Sequence, residues 1–473
     1  MESTSRQFTD NAREAIGDDS LRDALDKLSY GFPMRRRLAA ERLPEFEDLR
    51  DQARAIKNHV LANLDTYLER FEKKVIETGG QVHWARDAEE ARAIILGICR
   101  DNEARTVTKS KSMIAEELAI NEHLEKNGIQ PIETDLGEYI IQLRDEAPAH
   151  IIAPAIHLSK EQVADTFRDS HPQLPGERDL SDPVSLLNEA RGVLREKFLA
   201  ADVGMTGANF LIAETGSIVL VTNEGNADLT QTLPKTQIVT ASIEKIVPTL
   251  EDATAILRVL ARSATGQEQS VYTSFSTGPK RPEDPDGPEN FHVVLLDNGR
   301  SDMIGGEFQD MLRCIRCGAC LNHCPVYATI GGHAYGWVYS GPMGKVLIPN
   351  LIGMDSTKDL PNASSLCGRC EEVCPMRIPL PRMLRDWRRR QFEAGQTGTV
   401  ARWALKSWAF WAKRPGLYRF FAGKKMRVLG ALGRRKGRFK SMIMAGGWTG
   451  SRDLPAPQGK TFQDLWDERG GKR

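Results

Sequence analysis

Seven of the eight cysteines stand in two short runs, Cys314-Ile-Arg-Cys317-Gly-Ala-Cys320-Leu-Asn-His-Cys324-Pro325 and Cys367-Gly-Arg-Cys370-Glu-Glu-Val-Cys374-Pro375. Clustered thiolates serve metal ligation, and spacing selects the metal. The first run has gaps of two, two and three residues ending in Cys-Pro, the spacing that wraps iron–sulfur clusters. Two-residue gaps let one tight turn present three sulfurs to a cubane, while the fourth points towards a second cluster. The proline has no N–H and a fixed φ, so it sets the direction in which the chain leaves. Zinc sites pair two C-x2-C units or mix Cys with His around one tetrahedron, a poorer match. A disulfide framework does not suit a long chain with no signal peptide.

The second run is one ligand short. Three residues before Cys367 stands Ser364, where a complete pattern has Cys. With the last cysteine of each run crossing to the other cluster, Cys314, Cys317, Cys320 and Cys374 hold one, and Cys324, Cys367 and Cys370 the other. Both clusters are expected to be 4Fe–4S. The open corner falls to Ser364, a water, a partner's ligand, or nothing, as in a 3Fe–4S cluster. The eighth cysteine, Cys99 in Ala-Ile-Ile-Leu-Gly-Ile-Cys, is expected to be a buried core thiol.

Three other stretches carry polar chemistry. Glu133-Thr-Asp-Leu-Gly-Glu138-Tyr-Ile is acidic where a strand ends. Gly204-Met-Thr206-Gly207-Ala-Asn209 leads through an apolar run to Glu214-Thr215-Gly216-Ser217. Its glycines permit close backbone approach, and its hydroxyls and amide can hold a small carboxylate or phosphate; turn-shaping alone explains them as well. Glu214 as acid/base and Thr206 and Asn209 as carboxylate holders are the candidate catalytic residues. Lys109-Ser-Lys-Ser112 precedes a helix and suits either an anion or a plain N-cap. No dinucleotide fingerprint and no P-loop is present.

These residues need a scaffold. The 473 residues predict two to three domains, and 40% hydrophobic with 27% charged residues is an ordinary globular balance. Lys plus Arg and Asp plus Glu are 64 each, yet residues 382–440 hold eighteen Lys/Arg against Asp386 and Glu393. Leu21, Leu25 and Leu28 form a helical stripe after an N-cap at Ser20. Arg35–Arg37 after Pro33 reads as a basic turn, and Leu49–Phe71 as one long helix. From 80 to 300, strands (81–84, 105–108, 131–133, 151–153, 210–213, 217–222, 237–240, 242–247, 291–296) alternate with helices, which argues an α/β domain with a largely parallel sheet. Forty-two residues separate Cys324 from Cys367, a spacing that suits a helical cluster domain better than a minimal ferredoxin. The tail mixes arginines with Trp403, Trp408, Trp411 and Phe420. Helical packing is its first reading, an anionic membrane face its second, and nucleic acid is not expected. No segment reaches membrane-spanning length, and the polar N-terminus does not read as a signal peptide. The expected location is the cytoplasm, with peripheral contact at the inner face of the membrane as the tail's alternative.

Lys109-Ser-Lys-Ser-Met, Glu133–Ile140, His150-Ile-Ile-Ala-Pro-Ala-Ile-His157, Gly204–Ser217 and Thr222-Asn-Glu-Gly-Asn226 resemble the LUD domain. With both cysteine runs following, the chain over nearly its full length is similar to the lactate-utilisation iron–sulfur (LutB/YkgF) family. The resemblance implies an α/β fold like that of CoA-transferases and sugar-phosphate isomerases, followed by an all-α ferredoxin-type domain similar to that of succinate dehydrogenase iron–sulfur subunits. It implies a subunit of an L-lactate dehydrogenase complex rather than a complete enzyme, with a cysteine-rich LutA-type and a LUD-only LutC-type partner. Electrons would pass to a quinone or another carrier. A redox- and small-acid-sensing module is the alternative. The expected division is 1–70 helical, 71–300 α/β, 301–390 4Fe–4S ferredoxin-type, and 391–473 basic and aromatic.

Overall fold

Strands between 80 and 300 build the central sheet of the computed structural model, which describes residues 3–442, 445–450 and 452–470. The chain separates into two compact units, residues 1–390 and 391–473. In the first unit the strands are β1 (Gln81–Ala85), β2 (Thr106–Lys109), β3 (Gln130–Glu133), β4 (Val203–Gly207), β5 (Phe210–Ile212), β6 (Ser217–Thr222), β7 (Thr236–Ser242), β8 (Ile246–Val247), β9 (Tyr272–Ser276) and β10 (Asn290–Leu296). Six form a sheet in the order β1-β10-β7-β4-β2-β3, with every pairing parallel. The other four form a mixed sheet, β8-β5-β6-β9.

The period-2 alternation of the strands divides two cores. Ile238, Val294 and Leu296 face a layer with Ile95, Cys99 and Val107. Their neighbours Val239, Val293 and Leu295 face Leu64, Phe71 and Val75. A parallel sheet covered on both faces calls for such apolar strands. Cys99 is buried on helix Ala88–Asp101, and burial pushes its thiol up to about 12.

β2 leads outwards to β3, and the chain then returns to place β4 on the other side of β2. Strand order therefore reverses between β2 and β4. Crevices at the carboxyl ends of strands open at such points.

The N-terminal helices differ from the sequence reading in three ways. Helix Asp19–Glu41 is capped by Asp18, which accepts from Leu21 N at 3.0 Å, so the cap lies before Ser20. The same helix runs through Pro33 and includes Arg35–Arg37, where a turn was expected. The long helix is two, Phe46–Ala62 and Leu64–Glu77, broken at Asn63 (φ −138°, ψ 38°). The Leu28 side chain lies outside the described residues. Leu25, Phe46, Leu49 and Ile56 share one core with Ile256, Met311, Leu312 and the cysteine region. Residues 301–390 contain short α and 3-10 helices and, among the described residues, no strand.

The second unit contains helices Thr399–Ala412 and Pro415–Gly433 and a two-stranded ladder of Arg438–Phe439 with Leu454–Pro455. Trp403, Trp408, Phe420 and Phe421 are exposed, with Arg414 over the Phe410 ring at 3.8 Å and Lys424 over Phe420 at 4.3 Å. Among the described residues no helix is long and apolar enough to cross a membrane.

Candidate metal centre

The first run is a loop built on two left-handed residues. Arg316 (φ 58°) and Gly318 (φ 72°) flank Cys317, and Gly318 opens the short helix Ala319–Asn322 that carries Cys320. Leu366 (φ 55°) and Gly368 (φ 86°) flank Cys367 in the same way, and Gly368 opens the short helix Arg369–Glu372 with Cys370. The two runs thus repeat one backbone form. Left-handed φ costs a non-glycine residue energy, so it persists where the surroundings enforce it. In this register Ser364 occupies the place that Cys314 holds in the first run.

Cys314, Cys317, Cys320 and Cys374 line one narrow cavity with Ile151, Met343 and Met376. Cys374 is distant in sequence from the other three, so the fold delivers it. Arg50 on helix Phe46–Ala62 donates to the Cys374 carbonyl oxygen at 2.7 Å, and Ile378 N–H donates to its Sγ at 3.5 Å. Burial, then the neighbouring thiol of Cys374, pushes Cys317 up to about 12. Cys320 is raised by burial and by Cys314. Buried thiols such as Cys317 and Cys320 keep their protons unless a cationic core replaces them. Such a donor set fits an iron–sulfur core.

Cys324 is buried, Cys370 half-buried and Cys367 exposed. Burial raises Cys370 to about 12, and Cys324 and Cys367 add to the effect. Lys345, fully buried on helix Gly341–Ile352, places Nζ 3.9 Å from Cys324 Sγ and donates to the Ala363 carbonyl. It stands alone among the apolar residues of that helix, Pro-Met-Gly-Lys-Val-Leu-Ile-Pro, a sequence signal that went unread.

Beside the first run, at the carboxyl ends of β2, β3, β4 and β7, opens a cavity of about 560 Å³. Ser112, Asp135, Asn209, Thr240 and Lys245 line it from the sheet side, and Ile315 and Arg316 from the cysteine loop. Lys111 bonds Asp135 at 3.2 Å and the Ile152 carbonyl at 3.0 Å. Ser112 caps helix Met113–Glu117. Ile151–Ala153, expected as a strand, is an irregular segment along both cavities.

A buried ionic network ties loop to sheet. Arg300 makes a bidentate pair with Glu117 (2.9 and 2.7 Å) and lies 3.1 Å from Glu244 Oε2 without hydrogen-bond alignment. Arg316 reaches Glu244 Oε1 at 3.3 Å, and Tyr339 donates to Glu117 at 2.5 Å. Burial opposes ionisation of Glu244, but Arg300 and Arg316 outweigh it and hold the carboxyl at about 2.

Three family models match in order: the LUD domain over residues 68–296, the 4Fe-4S dicluster domain over 310–378, and the lactate utilisation protein B C-terminal region over 393–471. A lactate utilization protein B of Bacillus licheniformis is 43% identical, with 99% of this chain and 98% of that protein covered. Those of Geobacillus kaustophilus and Bacillus subtilis are 44% and 42% identical, each over 98% of this chain and 97% and 96% of their own. The chain belongs to the lactate utilization protein B family. All seven cysteines of the two runs fall within the 4Fe-4S dicluster match, and the chain's cofactors are iron–sulfur clusters of the 4Fe–4S type.

Within this family member the three LUD residues singled out from the sequence do not converge. Asn209 lines the large cavity, its Oδ1 accepting from Val221 N–H at 2.9 Å. Thr206 lies in the sheet, where Gln237 Nε2 donates to its Oγ1 at 3.3 Å. Glu214 sits in the β5–β6 turn, its N–H bonded to the Pro248 carbonyl, and does not line that cavity. The acidic stretch instead meets Lys109, buried with Nζ 2.7 Å from Glu116 and 2.6 Å from Glu133. Glu138 is buried beside them with both carboxyl oxygens unpartnered; burial and then Glu133 raise its pKa well above the usual range. Lys245 and Arg316 were missed because their common cavity joins segments about seventy residues apart.

Proposed function

We propose that the chain is the iron–sulfur electron-transfer subunit of a complex that oxidises L-lactate to pyruvate. The observation that carries the reading is the seating of Cys374, from the second run, with Cys314, Cys317 and Cys320 in one cavity. That exchange is the pattern of a two-cluster protein. Those four cysteines would hold one cluster. Cys324, Cys367 and Cys370 would hold the other, its fourth corner falling to Ser364, a water, a partner's ligand or nothing. Each cluster, when bound, accepts and releases one electron at a time.

Lactate gives up two electrons and two protons in becoming pyruvate, so a pair of one-electron carriers matches its stoichiometry. The chain's own residues supply the insulation. Ile151, Met343 and Met376 cover the first sulfur set, while Arg316 and Lys345 place positive charge beside the sulfurs of each set. We place the partners with the LutA- and LutC-type proteins and the acceptor with a quinone or similar carrier. The cysteine region is read as an all-α ferredoxin-type domain over 301–390. The location is the cytoplasm, with contact of the basic tail, 391–473, at the inner membrane face as the alternative to helical packing.

The test is anaerobic isolation with iron and sulfide analysis, EPR, and mixing with the two partner proteins and L-lactate. Reduction of both clusters together with catalytic pyruvate formation is expected. Zinc in place of iron, or a ligand-induced change without turnover, would replace this reading by a structural or sensing role.

A further inference from the structure

The cavity beside the first cysteine run is lined by a buried cation that has no hydrogen-bond acceptor. Lys245, at the end of the 3-10 turn Ile243–Lys245 that follows β7, is 7% exposed and lines the cavity. Among the described residues it makes no hydrogen bond and no ion pair. Arg316 lines the same wall; one of its terminal nitrogens pairs with Glu244, while its buried Nε has no partner. The third cation, Lys111, is already paired with Asp135. The Glu244 carboxylate favours the Lys245 charge but is itself paired with Arg300 and Arg316, so the buried ammonium is left without hydrogen-bond acceptors, which is unfavourable unless something supplies them. The cavity has room for it, at about 560 Å³, within the range of sites for organic metabolites.

Its place in the fold is also that of a ligand site. It lies outside the carboxyl ends of β2 and β4, where the strand order reverses. Ser112, Asn209 and Thr240 add hydroxyl and amide groups around the mouth. The loop that walls it, Ile315-Arg316, also walls the cysteine cavity.

We infer that this cavity binds an organic anion, its carboxylate or phosphate group seated on Lys245 and Arg316 at the wall shared with the first cysteine run. A ligand held there lies next to the sulfur set, with only that loop between. The binding itself stands on the geometry of the cavity; its adjacency to a redox centre rests on the ligand assignment proposed above.

The experiment is calorimetric titration of the full-length, anaerobically isolated protein with L-lactate, pyruvate and inorganic phosphate separately, and EPR of the reduced protein with and without each. At least one probe is expected to bind one to one. Lys245→Gln should weaken it roughly tenfold or more, the loss of one charge-assisted contact, and Lys245→Arg should retain most of the affinity. Because Lys245 has no protein partner, Lys245→Gln should melt no lower than the parent. The bound anion should alter the EPR signal of the parent and not that of Lys245→Gln. Carboxylates binding without phosphate would mark an organic-acid site, and phosphate alone a phosphoryl site. No binding by any probe, or equal affinity in Lys245→Gln, overturns the inference even with full iron content. An iron-free protein that still binds the anion through Lys245 would uphold it and overturn the electron-transfer reading instead.

Discussion

The guanidinium of Arg316, one residue before Cys317, donates to the Glu244 carboxylate at 3.3 Å, which itself follows β7. That contact fastens the cysteine loop to the strand ends of the sheet, with Arg300 and Glu117 behind it. Glu117→Ala would leave Arg300 buried with its bidentate partner gone. A loss of about 3–5 kcal/mol in unfolding free energy is expected, since the remaining charge stays out of water. Chemical denaturation of the metal-free protein measures it, and a loss under 1 kcal/mol would show that water or Glu244 takes over.

Cys374→Ser should cost the first cluster, even though Cys374 lies in the second run. Iron should fall by about four atoms per chain, and one set of EPR signals should vanish. Cys99→Ser, in the α/β core, should leave iron unchanged. Equal losses from both variants would contradict the assignment.

Ser364→Cys should complete the second set, because the backbone there repeats that of the first run around Leu366 and Gly368. The variant should hold about eight irons per chain, and any three-iron EPR signal of the parent should disappear. An unchanged count with four-iron signals already present would show that Ser364, water or a partner supplies the corner in the parent.

His150 sets a pH dependence. Its Nδ1 accepts from Ile152 and Ala153 N–H at 3.1 and 3.2 Å, and its Nε2 lies 2.9 Å from Asn322 Oδ1. Burial lowers its pKa from 6.5 to about 4, against the opposing bond to Asn322. Between these values the unfolded chain binds more protons, so stability falls as pH drops from 6.5 towards 4. The loss is roughly 3 kcal/mol over the full window. His150→Gln should flatten that part of the stability–pH curve; parallel curves for parent and variant would rule the residue out.

Gly204→Ala should disrupt the sheet. A Cβ there would sit 1.9 Å from the Thr230 carbonyl oxygen. Backbone cannot yield as a side-chain tip does, so a destabilisation beyond about 4 kcal/mol is expected, in the rare upper range for single changes. Thermal melting of the soluble fraction reads it, and a near-parental melting temperature would mean that the helix Asn226–Thr232 can shift.

Much of this was legible in the chain. Cysteine spacing is local, so an iron–sulfur region made of two runs could be read from it. Strands alternating with helices announced the parallel sheet, whereas Gly204, read as room for a small ligand, closely approaches the Thr230 carbonyl. Propensity failed where tertiary packing overrides it: Pro33 sits inside a helix, and Asn63 breaks a stripe that looked continuous. The β9 strand, half exposed at the edge of the smaller sheet, gave too weak an alternation to find. Residues of the large cavity escaped notice because their chemistry lies in meeting across the fold. Lys245 and Arg316 look ordinary in sequence, whereas Glu214, conspicuous in its turn, lies elsewhere.

The unequal burial of the two sulfur sets gives the chain a sense of direction. In the first, Cys317 and Cys374 are buried and Cys314 and Cys320 half-buried, whereas Cys367 of the second is exposed. Tunnelling fades steeply with separation, so a redox protein pressing against this surface would be served by the outer centre long before the inner one. On the proposed ligand assignment, current would enter near the sheet and leave at Cys367, and the deeper centre would be shielded from stray oxidants.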